Sequence, residues 1–159
     1  MALNDQLIAG LAKSLELDEI PKNDDGHWFV SFDDLPTIEL LQLAGTTLLV
    51  RVQVATLPAE GRERQDAISN QLKLNMSQLK HQPETLGLDK TTGAVLLYRT
   101  LKSNEIDQPQ FNQQIEQFVN TLEWWQQALS GAAASNTSPM SLAQMSPMNK
   151  NSISLLWMR

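Results

Sequence analysis

The clearest apolar periodicity in the chain lies between positions 67 and 101. Steps of four, four and three residues mark one face of a central helix, occupied by Ile68, Leu72, Met76 and Leu79. Pro83 ends this helix because proline lacks the amide hydrogen. Strands at 85–88 and 94–101 follow, joined by a turn that Asp89 opens and Gly93 closes. The second of these strands is apolar on both faces, which predicts cover on both sides of it.

The flanking segments complete the predicted order α-β-β-β-α-β-β-α. Leucines spaced by four predict a first helix over residues 3–17. Strands are predicted at 27–32, 37–43 and 47–57, and their short connections favour antiparallel neighbours. In the third strand the even-numbered positions form the core face, with Leu48, Val50, Val52 and Val54. The central helix begins near Arg62, and the last helix runs from about Pro109 to Ser130-Gly131.

Composition divides the chain at residue 131. Residues 1–130 are predicted to form one domain, large enough for its own core. Residues 131–159 are rich in Ser, Asn and Met and are predicted to be a flexible tail. The tail ends in the apolar run Ile153–Met158, which can add to a sheet edge. The alternative is a disordered tail in which Trp157 is incidental.

Charge and residue usage exclude several classes of function. The 18 acidic and 12 basic residues give a net charge of −6, which argues against nucleic acid as a partner. The absence of cysteine excludes disulfides and thiolate metal sites, and is compatible with a reducing compartment. No apolar run approaches the ~18–20 residues of a membrane span. We therefore expect a soluble cytoplasmic protein that neither enters a membrane nor binds nucleic acid.

Few residues are candidates for catalysis or metal binding. His27 and His81 have no His or Glu at metal-ligand spacing, so no metal and no cofactor are expected. The acidic pairs Asp24-Asp25 and Asp33-Asp34 flank turn signals, and turn formation explains them. Because phosphate-binding loops and nucleophile elbows are also missing, the chain is not expected to be an enzyme. The alternative is a small cation-dependent enzyme that uses these four aspartates.

The central motifs resemble those of class I type III secretion chaperones. The resemblance rests on Leu72-Lys73-Leu74-Asn75, Thr85-Leu86-Gly87-Leu88-Asp89 and Gly93-Ala94-Val95-Leu96-Leu97-Tyr98, and extends over about residues 3–130. It implies an α+β fold, with helices packed on a twisted antiparallel sheet, and a homodimer. It also implies a non-enzymatic protein that binds the N-terminal segment of a secreted protein and keeps it secretion-competent.

The resemblance also suggests where partners bind. A client would occupy grooves lined by the first helix and the exposed sheet face, and the candidate residues are Leu7, Leu11, Phe29, Phe32, Leu41 and Leu49. The dimer would form through the central helix and the strand that ends the hairpin, with Ile68, Leu72, Met76, Leu79, Val95 and Leu97.

Further motifs resemble those of regulatory members of this family, which act as anti-anti-activators. They are Leu86–Asp89, Thr92–Tyr98, Glu123–Leu129 and the final Met158-Arg159. Such a protein holds a small secreted regulator while secretion is blocked, and sequesters an anti-activator of transcription once that regulator has been exported. The alternative is a dedicated effector chaperone without a regulatory role.

Overall fold

The chain folds into helices packed on one five-stranded antiparallel sheet. The computed structural model describes residues 3–32 and 34–134, with side chains through Gly131. The elements are α1 (Leu3–Ser14), β1 (Trp28–Val30), β2 (Ile38–Gln42), β3 (Thr47–Thr56), α2 (Arg62–Gln78), β4 (Thr85–Leu88), β5 (Ala94–Lys102) and α3 (Gln108–Ala134). The strand order is β1-β2-β3-β5-β4. The predicted α+β class and element order are confirmed. The predicted tail after position 134 lies outside the described residues.

Two helix ends differ from the prediction. Helix α1 ends at Ser14 instead of continuing to residue 17, because Glu16 adopts a left-handed backbone with φ 56°. The amide of Leu17 then donates to the carbonyl of Ala12 at 2.9 Å, which satisfies an end carbonyl of the helix. Helix α3 passes through Gly131, which was predicted to end it, and continues to Ala134.

The hydrophobic core lies between the sheet and the helices α1 and α3. The predicted core face of β3 is confirmed for Leu48, Val50 and Val52, which are at most 2% exposed. Helix α3 contributes the three largest fully buried side chains, Trp125, Phe111 and Phe118, together with Ile115 and Leu122. Fully burying a side chain of this size stabilises the fold by ~1.5–3 kcal/mol. On β5, Leu97 and Leu101 join this core, whereas Leu96 and Tyr98 on its other face stay half-buried.

Each outermost strand of the sheet has a neighbour on its outer side. On β1 the amide of Phe29 donates to the carbonyl of Pro21 at 3.1 Å, and Lys22 forms a bridge with Trp28. On β4 the amide of Leu86 donates to Oδ1 of Asn75 in α2 at 3.1 Å. Both edges of the sheet are therefore partly occupied by the chain's own groups.

The β4–β5 turn forms as the sequence predicts. Gly93 has a φ of 73°, a left-handed conformation that favours glycine, and its amide donates to the carbonyl of Asp89 at 2.8 Å. The carboxylate of Asp89 accepts the amide of Thr91 and the hydroxyl of Thr92, both at 2.9 Å. These hydrogen bonds hold the pKa of Asp89 below its ordinary value.

Candidate functional site

One row of side chains crosses all five strands on the face opposite α1 and α3. The strand register places in this row Phe29, Glu39, Arg51, Tyr98 and Thr85. Directly opposed residues of antiparallel strands project from the same side of a sheet. The register also pairs Leu41 with Leu49, and Gln53 with Leu96. We call the surface formed by Phe29, Glu39, Leu41, Leu49, Arg51, Leu96 and Tyr98 the open face.

The open face presents apolar side chains that the core does not use. Phe29, Leu49, Leu96 and Tyr98 are half-buried, and Leu41 is buried, with 6% of its surface exposed. None of the five belongs to the hydrophobic core cluster. The prediction that both faces of β5 are covered is therefore met only in part within the described residues, because Ala94 is buried whereas Leu96 and Tyr98 are half-buried. An apolar surface of this kind is typical of a site that binds another polypeptide.

The polar centre of the open face is a hydrogen-bonded ion pair. One carboxylate oxygen of Glu39 accepts from Nε of Arg51 at 2.5 Å, and the other lies 2.7 Å from Nδ1 of His27. Burial works to raise the pKa of Glu39, but the hydrogen bonds to Arg51 and His27 outweigh it and hold that pKa below its ordinary value. An apolar partner can cover this centre without leaving the Glu39 carboxylate unpaired.

Gly87 makes room for the ring of Tyr98 on the open face. A Cβ atom at Gly87 would lie 3.1 Å from Cε1 of Tyr98, tighter than ordinary van der Waals contact. The glycine in Leu86-Gly87-Leu88 therefore lets the ring of Tyr98 pack closely against β4. A Cβ atom at position 87 would require this ring to shift by a few tenths of an ångström.

A second apolar surface lies on α2. Its stripe, Leu72, Met76 and Leu79, is 53–67% exposed, and Leu88 of β4 is 40% exposed. Ile68 is half-buried, and the one fully buried residue of this helix is Gln78. The predicted stripe on the central helix therefore faces away from the chain's own core. We call Leu72, Met76 and Leu79 the α2 stripe.

Five of the predicted binding residues lie in the chain's own interior. Leu7, Leu11 and Phe32 belong to the core cluster, and Val95 and Leu97 are at most 1% exposed. Their surface is taken by intramolecular packing, so in this conformation they offer no side chain to a client or a second subunit. The remaining predicted client residues, Phe29, Leu41 and Leu49, lie together on the open face, where Phe29 and Leu49 are half-buried and Leu41 is buried.

Sequence reasoning missed four residues of the open face, Glu39, Arg51, Leu96 and Tyr98. For the pair Glu39–Arg51, the sequence did contain a signal that could have predicted the contact. The short turn after β2 fixes the register of the β2–β3 hairpin, which brings these opposite charges face to face. The sequence pattern placed Leu96 and Tyr98 on the second apolar face of β5. It did not indicate which face of the strand the helices cover.

Three residues of the aspartate pairs, Asp24, Asp25 and Asp34, lie in exposed turns. Asp24 and Asp25 occupy a turn in which the amide of His27 donates to Oδ1 of Asn23 at 2.9 Å. Asp34 is also exposed, and Asp33 lies outside the described residues. Within residues 3–32 and 34–134, no three His, Asp or Glu side chains come together as metal ligands would. In the same ranges, no helix is long and apolar enough to cross a bilayer.

A sheet with α1 and α3 on one face and an apolar open face on the other is compatible with the binding of another polypeptide. The chain belongs to the Tir chaperone protein (CesT) family, whose model matches residues 6–126. This is a family of type III secretion chaperones, so the resemblance found in the sequence is confirmed. No curated protein matches the chain significantly.

Solved structures of low sequence identity share the fold. A chain of the ExsC–ExsE complex is 22% identical, with a TM-score of 0.64, over 79% of this chain and 92% of that chain. A chain of the HopA1–SchA chaperone–effector complex is 19% identical, with a TM-score of 0.60, over 79% and 94%. A chain from the complex of the Yersinia pestis chaperone SycH with a fragment of YscM2 is 21% identical, with a TM-score of 0.58, over 76% and 98%.

Proposed function

We propose that this protein is a cytoplasmic, non-enzymatic chaperone that binds the N-terminal segment of a secreted type III protein on its open face. The observation that carries the proposal is the apolar surface of Phe29, Leu49, Leu96 and Tyr98, which lies outside the core cluster. Membership of the chaperone family supports it, as do structural neighbours solved as chaperone–effector complexes.

The client is bound by its apolar side chains in this proposal. The centre of the open face is already neutralised, because Glu39 is hydrogen-bonded to Arg51 and His27. An apolar segment therefore gains hydrophobic contact without stripping water from an unpaired charge. Binding needs no ATP, since the contact itself supplies the free energy.

The proposed homodimer forms through the α2 stripe and Leu88. These side chains are at least 40% exposed in the single chain, and they form an apolar surface that a second copy can cover. A stable interface buries about 1,200–2,000 Å² in total, so further residues must contribute. Val95 and Leu97 are not among them, because their side chains lie in the core.

A regulatory role is the second part of the proposal. The protein would also control type III secretion genes by sequestering a cytoplasmic anti-activator once a small secreted regulator has left. The motif resemblance to anti-anti-activators supports this part, and so does the fold shared with the ExsC–ExsE complex. A dedicated effector chaperone without this role is the alternative.

The test is a tagged pull-down from the native cell with secretion blocked and then permitted, read by mass spectrometry. Leu49→Asp places a charge on the open face, and Gln113→Asp places the same charge at an exposed position on α3. We expect wild type and Gln113→Asp to retain a secreted protein, and Leu49→Asp to lose it at least tenfold. Full retention by Leu49→Asp, or no copurifying protein at all, would contradict the proposal.

The same pull-down separates the two roles. For a regulatory chaperone, a small secreted protein is replaced by a non-secreted regulator when secretion opens. For a dedicated effector chaperone, one secreted protein copurifies under both conditions.

A further inference from the structure

The chain carries a dense apolar segment beyond its folded domain. Residues 153–158 read Ile-Ser-Leu-Leu-Trp-Met, and five of these six residues are apolar. Lys150 and Arg159 flank the segment. Such a segment gains from any contact that removes these side chains from water.

The open face is a surface of matching chemistry on the same chain. Phe29, Leu49 and Leu96 are half-buried and do not belong to the core cluster. Glu39 is satisfied by its hydrogen bonds to Arg51 and His27, so apolar side chains can cover it. The α2 stripe is a narrower surface, made of one row of three residues on a single helix.

The segment is long enough to reach this face. Helix α3 ends at Ala134, and residues 135–152 separate it from Ile153. These 18 residues span about 27 Å as a continuous helix and at most about 60 Å when extended. A domain of about 130 residues has a radius of gyration of about 14 Å, so the extended span exceeds the width of the domain. The tether holds the segment at an effective concentration of about millimolar.

Charge favours contact between the segment and its own domain. All 18 acidic residues precede position 131, whereas the charged residues after it are Lys150 and Arg159, both basic. The acidic domain therefore attracts the basic residues that flank the segment, and this attraction raises the frequency with which the segment meets the domain.

We propose that residues 153–158 bind the open face of their own chain. The segment then covers the apolar surface while no client is present, and a client must displace it. Displacement of the segment by a client rests on the proposed function, whereas binding of the segment to the open face does not. Substitution of the segment is expected to raise the affinity of the open face for a client.

Because the chain contains no cysteine, disulfides can form only between introduced cysteines, which permits a cross-linking test. In the full chain, Ser154→Cys is combined with Thr100→Cys, an exposed position paired with Leu49 on the open face. The control combines Ser154→Cys with Gln113→Cys, an exposed position on α3. Disulfide formation in oxidised glutathione is followed by non-reducing electrophoresis, without any client. We expect the Thr100 pair to close within one chain at least ten times faster than the Gln113 pair.

A second variant separates specific docking from random encounter. Replacing Ile153, Leu155 and Trp157 by serine in the Thr100 pair is expected to slow closure to the rate of the Gln113 pair. Equal rates for the two original pairs, or faster closure at Gln113, would overturn the proposal. So would disulfides that join two chains, because the segment would then belong to a second copy. Since no client is present, these results are independent of the pull-down.

Discussion

Glu84 and Arg99 form an ion pair inside the protein, with 2.9 Å between Oε1 and Nη1. The side chains are 1% and 10% exposed. Arg99 also donates to Oε1 of Gln114, so the pair connects the start of β4 to β5 and α3. The second carboxylate oxygen of Glu84 is buried without a hydrogen-bond partner among the described residues. The pair fixes the position of β4, the strand that lies beside α2.

Removing one partner of this pair should be costly. Arg99→Met leaves the Glu84 carboxylate buried and unpaired, and is expected to lower the free energy of unfolding by ~3–5 kcal/mol. In the double variant Glu84→Gln/Arg99→Met no charge remains, so a smaller loss is expected. Urea denaturation of both variants measures the difference. An Arg99→Met protein as stable as wild type would show that water reaches Glu84.

The ion-paired glutamates Glu84 and Glu39 should give stability profiles of opposite slope against pH. Burial raises the pKa of Glu84 above its ordinary value of 4.5, against the opposing effect of Arg99. The folded protein therefore binds more protons at this site than the unfolded chain. The contribution of Glu84 to stability falls as pH rises from about 4.5 through the raised pKa, and is constant above it.

Glu39 behaves in the opposite way. Burial works to raise its pKa, but Arg51 and His27 lower it below 4.5, so its contribution is complete above that value. The contribution is lost as pH falls through the lowered pKa. Urea denaturation of Glu84→Gln and Glu39→Gln at several pH values, each subtracted from wild type, should give slopes of opposite sign. Slopes of the same sign would contradict this assignment.

The left-handed residue at the end of α1 offers a stabilising substitution. Glu16 has a φ of 56°, a conformation that costs a residue with a Cβ atom roughly 1–2 kcal/mol. Glu16→Gly is expected to raise the free energy of unfolding by about 1 kcal/mol, because glycine adopts this conformation without strain. Glu16→Ala removes the same carboxylate but keeps Cβ, and should bring no such gain. If Glu16→Gly and Glu16→Ala changed stability equally in thermal denaturation, the effect would come from the loss of the carboxylate charge and not from the backbone conformation.

The α2 stripe gives a direct test of the proposed dimer. Leu72 is 55% exposed in the single chain, so Leu72→Asp should leave the domain folded. At a dimer interface the same change buries an unpaired charge, and we expect the dimer dissociation constant to rise at least tenfold. Asn70→Asp adds the same charge at another exposed position of α2 and serves as the control. Sedimentation equilibrium gives both constants, and a Leu72→Asp dimer of unchanged affinity would place the interface elsewhere.

Periodicity predicted which residues share a face, but it did not predict what covers that face. Leu7 and Leu11 on α1 and Leu72 and Met76 on α2 have the same spacing of four. The first two are at most 5% exposed and the second two at least 55% exposed. Tertiary packing decides this difference, because α1 contacts α3 whereas α2 lies beside β4. The fold was therefore predictable from local patterns, whereas the roles of the two leucine stripes were not.

The end of α1 was missed for a related reason. A helix that ends in the left-handed conformation is usually marked by glycine, and here Glu16 holds that position. No residue type at this point of the sequence signals the end. The turn at Gly93 was found because its glycine and Asp89 carry the expected side chains.

The partly occupied edges of the sheet limit its pairing with other polypeptides. Unpaired strand edges are templates on which partly unfolded chains assemble into aggregates and amyloid. Here the amide of Phe29 is taken by Pro21, and that of Leu86 by Asn75. In the proposed chaperone, the open face would hold an unfolded segment by its side chains, while the partly occupied edges limit fibril growth along its own backbone.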